Sequence, residues 1–354
     1  MPGILFERGG GMKKSMPVFV LCAVTALMTA GVSSSPAAAQ AVCRVLSDPL
    51  RRLLSAVSSL FPFPLFEVGL LALPLVLFLS FFRGEPSAVL RRVLSCCGIL
   101  FSLFLLLSVV PAKRSAPPDP TPPTDGETTA FVLWLSERAN GEEARLPAYA
   151  GSGTPPARET TAELSDAVCA ALCESRLCPI EPRRVKTTLF PGALSRSGLL
   201  GYHAPLTGEA VIDPRAPAYT LAFTAAHEAA HQAGVVTEGE ASYIAYLALI
   251  SSPDPALRYA GIAGALDACL PLLSDHARKI VLASLSPRVR ADLRSFDAAL
   301  PTGGGARIVE GSNAAAIRLR DGEDGRSYDL FPILACRRYL SASDRDVAAP
   351  SAIY

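Results

Sequence analysis

His227 and His231 lie four residues apart in the run AAHEAAHQAG, residues 225–234. On a helix that interval sets both imidazoles on one face, a turn apart, which is the spacing that lets two histidines grip one zinc ion. Glu228 follows His227 directly and leans over the same point. In an H-E-x-x-H arrangement this carboxylate is the general base rather than a ligand: it takes a proton from the attacking water and later delivers it to the leaving amine. The chemistry this spacing serves is metal-assisted hydrolysis of a peptide bond. The helix it requires has local support, since Ala225, Ala226, Ala229 and Ala230 are strong helix formers and Gly234 is suited to stop it.

A catalytic zinc also needs a third protein ligand and an open position. The carboxylates available downstream are Glu238 and Glu240. Thr237 can cap a new helix with Glu240 three residues later, a T-x-x-E capping box that gives Glu240 a structural task. Glu238 then falls in the first turn, free to face back to the histidines, and is the expected third ligand, with Glu240 as the alternative. In the longer H-E-x-x-H-x-x-G-x-x-H pattern a third histidine would stand at Thr237, which argues against that class.

The segment E-G-E-A-S-Y, residues 238–243, resembles the E-x-x-A segment that supplies the glutamate ligand in gluzincin metallopeptidases. That resemblance aligns Glu238 with the ligand and Ser242 with a residue supporting it. Six residues separate His231 from Glu238, a shorter gap than those enzymes usually have, so a tight turn at Gly234 must bring the helices together. A wider likeness runs through P-F-P-L-F-E, G-Y-H-A-P-L-T-G-E-A, H-E-A-A-H-Q-A-G, E-G-E-A-S-Y-I-A-Y-L and S-Y-D-L-F-P-I-L-A-C-R-R-Y-L. These patches resemble an uncharacterised bacterial membrane family, domain-of-unknown-function family 3810, and imply a zinc metallopeptidase without naming a substrate. The chain departs from that pattern at Ser242, where asparagine is usual, and in a proline-rich segment after the third apolar run.

The elements that must position these residues begin with a membrane part. Of 354 residues half are hydrophobic, more than one soluble domain needs. The surplus sits in residues 17–32, 65–82 and 93–110, the last two with the ~18 to 20 residues that cross a bilayer as helix. Pro74 is tolerated in a membrane helix, and Glu67 can sit at the interface. Residues 17–32 also have the basic flank and A-x-A ending of a signal peptide; we read them as a retained helix, and either reading leaves the C-terminal two-thirds outside the cell membrane. The expected organisation is a membrane region over 1–110, a proline-rich linker over 111–126 and an extracytoplasmic domain over 127–354.

That domain reads as mostly helical, with apolar-periodic runs around Phe131–Arg138, Arg158–Arg176 and Tyr219–Leu300. Strand-like runs in VKTTLF and on both sides of Thr207-Gly208 predict a small sheet with a hairpin ahead of the histidine helix. Glu209 beside that turn is read as lining a cleft or solvating the hairpin. Tyr243, Tyr246 and Tyr259 read as packing more than as oxyanion donors, and His203 and His276 stay open. The outer cysteines, Cys169, Cys173, Cys178, Cys269 and Cys336, include no C-x-x-C pair, so a cysteine zinc site is not expected, while a disulfide through Cys178 is left open. The net charge of +1 gives no reason to expect nucleic acid as a partner.

The fold expected is therefore mainly α: N-terminal transmembrane helices followed by a mostly helical zincin-like domain with a small β-hairpin or sheet. Zn²⁺ is the expected cofactor, a peptide or protein the substrate, and the lipid bilayer the other partner. A non-catalytic membrane-anchored binding or envelope assembly module is the competing expectation. Glu228 favours the enzyme, because a binding protein has no use for that carboxylate.

Overall fold

The computed structural model describes residues 9–32, 35–83, 86–114, 121–147, 160–299 and 330–341. The chain is mainly helical with one small sheet. In order, α1 spans Gly9–Val32, α2 Pro36–Val42, α3 Asp48–Ser59, α4 Leu65–Arg83, α5 Pro86–Phe104 and the short α6 Val110–Ala112. Next come α7 Asp125–Glu143, α8 Thr161–Ser175, α9 Ala193–Arg196, α10 Thr220–Gln232, α11 Glu238–Ile250 and α12 Pro255–Cys269. The chain then forms α13 Asp275–Ser284, α14 Pro287–Ala299 and α15 Leu330–Ser341. Single π-helical segments, Cys43–Ser47 and Leu105–Val109, join α2 to α3 and α5 to α6.

Among the described residues one helix, Ala88–Ala112, is long and apolar enough to cross a membrane, with a mean hydropathy of 2.6. Val18–Val32 and Leu65–Ser80 are apolar but shorter. Pro74 lies inside α4, as expected for 65–82. α1 packs along α5, where the Cys22 thiol donates to the Gly98 carbonyl and Thr25 bonds Ser102 at 3.2 Å. Hydroxyl and thiol contacts of this kind hold apolar helices together where water exclusion gives no driving force.

Helix α3 reverses the usual sidedness. Its polar residues Asp48, Arg51, Ser55 and Ser58 are buried, while Leu53 is 60% exposed, and Val45 before it and Leu60 after it are 72% and 79% exposed. Between the expected spans there is thus a helix laid against the domain by its polar side.

The domain core forms around α11, which buries every residue from Gly239 to Ile250 except Ser242, as a helix apolar all round must. α10 packs beside it through Ala222, Ala225, Ala226, Ala229 and Ala230, all buried. α7, α8, α12, α13 and α15 complete the core. The expected helical runs are present. α7 starts at Asp125 rather than 127, because Thr124 and Glu127 form a capping box; Thr160 and Glu163 do the same for α8. The rest of the expected linker, 115–120, lies outside the described residues, as do Arg158, Leu300 and 327–329 of the C-terminal patch.

The sheet has the order β1 (Val185–Thr187), β3 (Glu209–Ile212), β2 (Gly201–Ala204). β1 runs parallel to β3, and β2 pairs antiparallel with β3 from Gly201↔Ile212 to Ala204↔Glu209. The hairpin turns at Thr207-Gly208, with Gly208 at φ +65°, as the sequence predicts. All nine cysteines are free thiols, including Cys178.

Candidate metal centre

α10 carries His227, Glu228 and His231; the turn that follows brings Glu238 back to them. α10 ends in a Schellman motif, in which the Val235 N–H bonds the Ala230 carbonyl and the Gly234 N–H the His231 carbonyl, both at 3.0 Å. Gly234 sits at φ +97°, and a Cβ there would come within 2.9 Å of the Arg114 guanidinium. Only glycine suits both demands. The turn is as tight as the six-residue gap requires, and α11 starts with Glu238 in its first turn.

The three donor atoms form a compact triangle. His227 Nε2 lies 3.1 Å from His231 Nε2 and 3.1 Å from Glu238 Oε2, and His231 Nε2 lies 3.5 Å from the same oxygen. A tetrahedral zinc with bonds of ~2.0–2.1 Å needs donors about 3.3–3.4 Å apart, so this set fits the ion. The other ring nitrogens are engaged elsewhere: His231 Nδ1 meets the Val235 carbonyl at 2.7 Å and His227 Nδ1 the Ser242 hydroxyl at 3.0 Å. Both Nε2 atoms are thereby aimed at Glu238. Ser242, expected to support the ligand set, does so through the His227 ring.

Glu228 belongs to the same cluster, its donor atoms and those of both histidines lying within 4.8 Å of one another. It makes no hydrogen bond among the described residues, and it lines a cavity of about 730 Å³. Gly201 at the start of β2 makes room for it, since a Cβ there would approach the Glu228 Cγ to 3.0 Å. Burial pushes the Glu228 carboxyl up to about 8; His227 opposes that and Glu238 adds to it. A dication held beside it would draw it back down. Burial also pushes Glu238 up, but the charge of His231 and hydrogen bonds from both histidines outweigh it and hold this carboxyl well below the usual range. Two neighbouring carboxylates are thus driven apart, one toward accepting protons and one toward staying ionised.

Glu240 is not brought to the histidines. It accepts from the Thr237 hydroxyl at 2.6 Å, but the Thr237 side chain makes no cap bond to the backbone of α11, so the expected capping box is not completed.

His203 stands in the cavity wall, its Nδ1 at 3.0 Å from the Glu209 carbonyl and its Nε2 at 3.3 Å from Arg51. Burial, then Arg51 and His231, hold it well below the usual imidazole range, hence neutral. His276 is exposed, outside the cavity lining. Tyr243, Tyr246 and Tyr259 are buried in the core, also outside that lining, with the Tyr259 hydroxyl on Asp292.

Several residues that hold the centre were not anticipated. Arg51 on α3 is 1% exposed; it donates to the His231 carbonyl at 3.0 Å and to the Leu107 carbonyl, tying α10 to the end of the long apolar helix. Arg114 bridges Asp48 and the Gly234 carbonyl. Glu209 neither lines the cavity nor solvates the hairpin. Fully buried, it accepts the Leu65 and Phe66 N–H groups at 2.8 Å each, capping α4, and pairs with Lys186 at 2.6 Å. Glu67 accepts from the Tyr202 hydroxyl and the Leu189 N–H. In the sequence the only hint was the run of polar residues Asp48, Arg51, Ser55 and Ser58 at helical spacing.

A mainly helical chain with one small sheet, one helix able to cross a membrane and two histidines facing two carboxylates is the class of protein these features define. The family described as "Protein of unknown function (DUF3810)" matches residues 44–328, and the chain belongs to it. That match begins just before α3 and covers it. No curated protein and no solved structure matches the chain.

Proposed function

We propose that this protein is a membrane-anchored zinc-dependent peptidase with a zincin-like domain on the extracytoplasmic side. The observation that carries the reading is the His227, His231 and Glu238 triangle with Glu228 beside it, buried and without a hydrogen-bond donor. A zinc ion there supplies Lewis-acid polarisation of a carbonyl and acidifies water. His227, His231 and Glu238 hold it, and the Val235 carbonyl and Ser242 keep the rings oriented. Glu228 accepts the proton from water at a carboxylate oxygen and returns it to the leaving nitrogen. The outer edge of β2, which lines the same cavity and has no strand partner among the described residues, offers backbone groups to an extended substrate.

On this reading α1, α4 and α5 all cross the membrane. The end of α1, the start of α4 and the end of α5 share the domain side: Val32 packs with Ala39, Cys43 and Val110, and Glu209 caps α4. The end of α4 and the start of α5 then face the cytoplasm.

The test is metal content and cleavage of a peptide library by the full chain. One equivalent of zinc is expected, absent in His227→Ala and His231→Ala. Glu228→Gln should keep the zinc and lose activity by on the order of 10²–10⁴-fold. A wild-type protein without zinc, or a Glu228→Gln variant as active as wild type, sinks the peptidase in favour of a binding module.

A further inference from the structure

We infer that the substrate is a polypeptide held in the bilayer by its own apolar segment, which enters the cavity sideways between α4 and α5 and presents a stretch of backbone just outside the membrane. This rests on the peptidase reading and names the substrate class of that same site.

The cavity carries the argument first. Its wall is shared between the domain and the apolar helices: Phe66 in the first turn of α4, Phe104 at the end of α5 and Leu107 in the π-helical segment that follows line it together with His227, Glu228 and Glu238. Beyond Phe66, α4 exposes Leu70, Leu71, Leu73 and Leu75, each at least half uncovered. Leu70 and Leu73 follow Phe66 at helical spacing, so an apolar stripe leads from the cavity wall along a helix that faces lipid in the proposed topology. A soluble peptide has no use for that continuation, whereas an apolar segment leaving the cavity along α4 stays out of water.

The depth of the centre points the same way. α3 buries polar groups and exposes Leu53 and Val57, followed by exposed Leu60, Phe61 and Phe63. A helix with this sidedness lies in the interface, its apolar face sunk ~5–10 Å into the boundary between headgroups and acyl chains. Arg51 on its buried side bonds the carbonyl of His231, so the candidate ligands sit directly above that surface. The relation is rigid, because Lys186 bonds Glu209, the Ser58 carbonyl and the Phe63 carbonyl, and Glu209 caps α4. A centre pinned at this height reaches bonds close to the membrane. The β2 edge in the same wall calls for an extended backbone, which selects a polypeptide over a lipid.

The experiment uses the full-length, zinc-loaded Glu228→Gln chain in lipid nanodiscs, with the photoreactive residue benzoylphenylalanine replacing Phe104 or, as a control outside the cavity lining, Ile280 on α13. Two probes are compared: a single-span peptide with a short polar flank, and the flank alone. Capture at position 104 should favour the anchored probe by about a hundredfold, the gain expected when one segment concentrates another, and position 280 should capture neither. Equal capture of the flank alone, or capture of lipid with neither peptide, overturns the inference. Cleavage of the two peptides by wild-type chain separates the layers. Anchored capture without cleavage of either peptide leaves the membrane-segment site standing and removes the peptidase; equal cleavage with equal capture keeps the peptidase and removes the membrane-held substrate.

Discussion

α11 and α3 are short helices of similar length, and they use apolar side chains in opposite ways. α11 turns Ile244, Leu247 and Leu249 into the core and leaves only Glu238 and Ser242 partly open, toward the candidate centre. α3 turns Asp48, Arg51, Ser55 and Ser58 inward and leaves Leu53 and Val57 outside. Water exclusion explains the first and not the second. In the proposed topology α3 separates burial in the domain from burial in lipid: it hydrogen-bonds on one side and exposes Leu53 and Val57, beside Arg52, on the other.

That contrast can be broken or sharpened by substitution. The largest effect is expected at the one open face of α11: Glu238→Ala should remove zinc and activity together, and retention of full metal content would move the third ligand elsewhere. Next comes the join between the regions. Lys186→Ala leaves Glu209 buried without its cation, at a cost of about 3–5 kcal/mol, which should appear as a large fall in the melting temperature of the detergent-solubilised chain. An unchanged melting point would mean that the membrane helices are not clamped to the sheet.

Two leucines then test the helices against each other. Leu247→Ala opens a cavity in the core and should cost ~2–5 kcal/mol, whereas Leu53→Ala, with no protein packed over it, should stay within about 0.5 kcal/mol in detergent. Equal losses would show that Leu53 is covered by protein after all. The smallest effect is local. Glu240→Ala removes the acceptor of the Thr237 hydroxyl and should lower stability by ~1 kcal/mol with zinc content intact, checked by denaturant titration beside metal analysis.

How much was legible follows from the range of each interaction. His227 and His231 share a helical turn, and the pairing of Thr237 with Glu240 is a three-residue signature, so both could be read from spacing alone. The hairpin at Thr207-Gly208 and the small sheet were legible for the same reason. The short gap before Glu238 was visible, but not that a Schellman turn around Gly234 would close it. Arg51, Lys186, Glu209 and Glu67 were not legible as partners, because contacts between residues distant in the chain leave no period in the sequence; Lys186 and Glu209 are 23 positions apart, Leu65 and Glu209 144. For that reason Glu209 read as a loop carboxylate, although it fixes the start of α4.

The two arginines behind the histidine helix also set an order of events during synthesis. Arg51 is made 180 residues before His231, and Arg114 is made 120 residues before Gly234, whose carbonyls they hold. Until α10 leaves the ribosome both guanidiniums lack those acceptors, and until α3 and α5 are seated α10 lacks the donors that steady its end. In the proposed topology a nascent chain therefore carries no finished centre while its apolar helices are still being inserted, and a fragment cut away from its first 114 residues loses both donors.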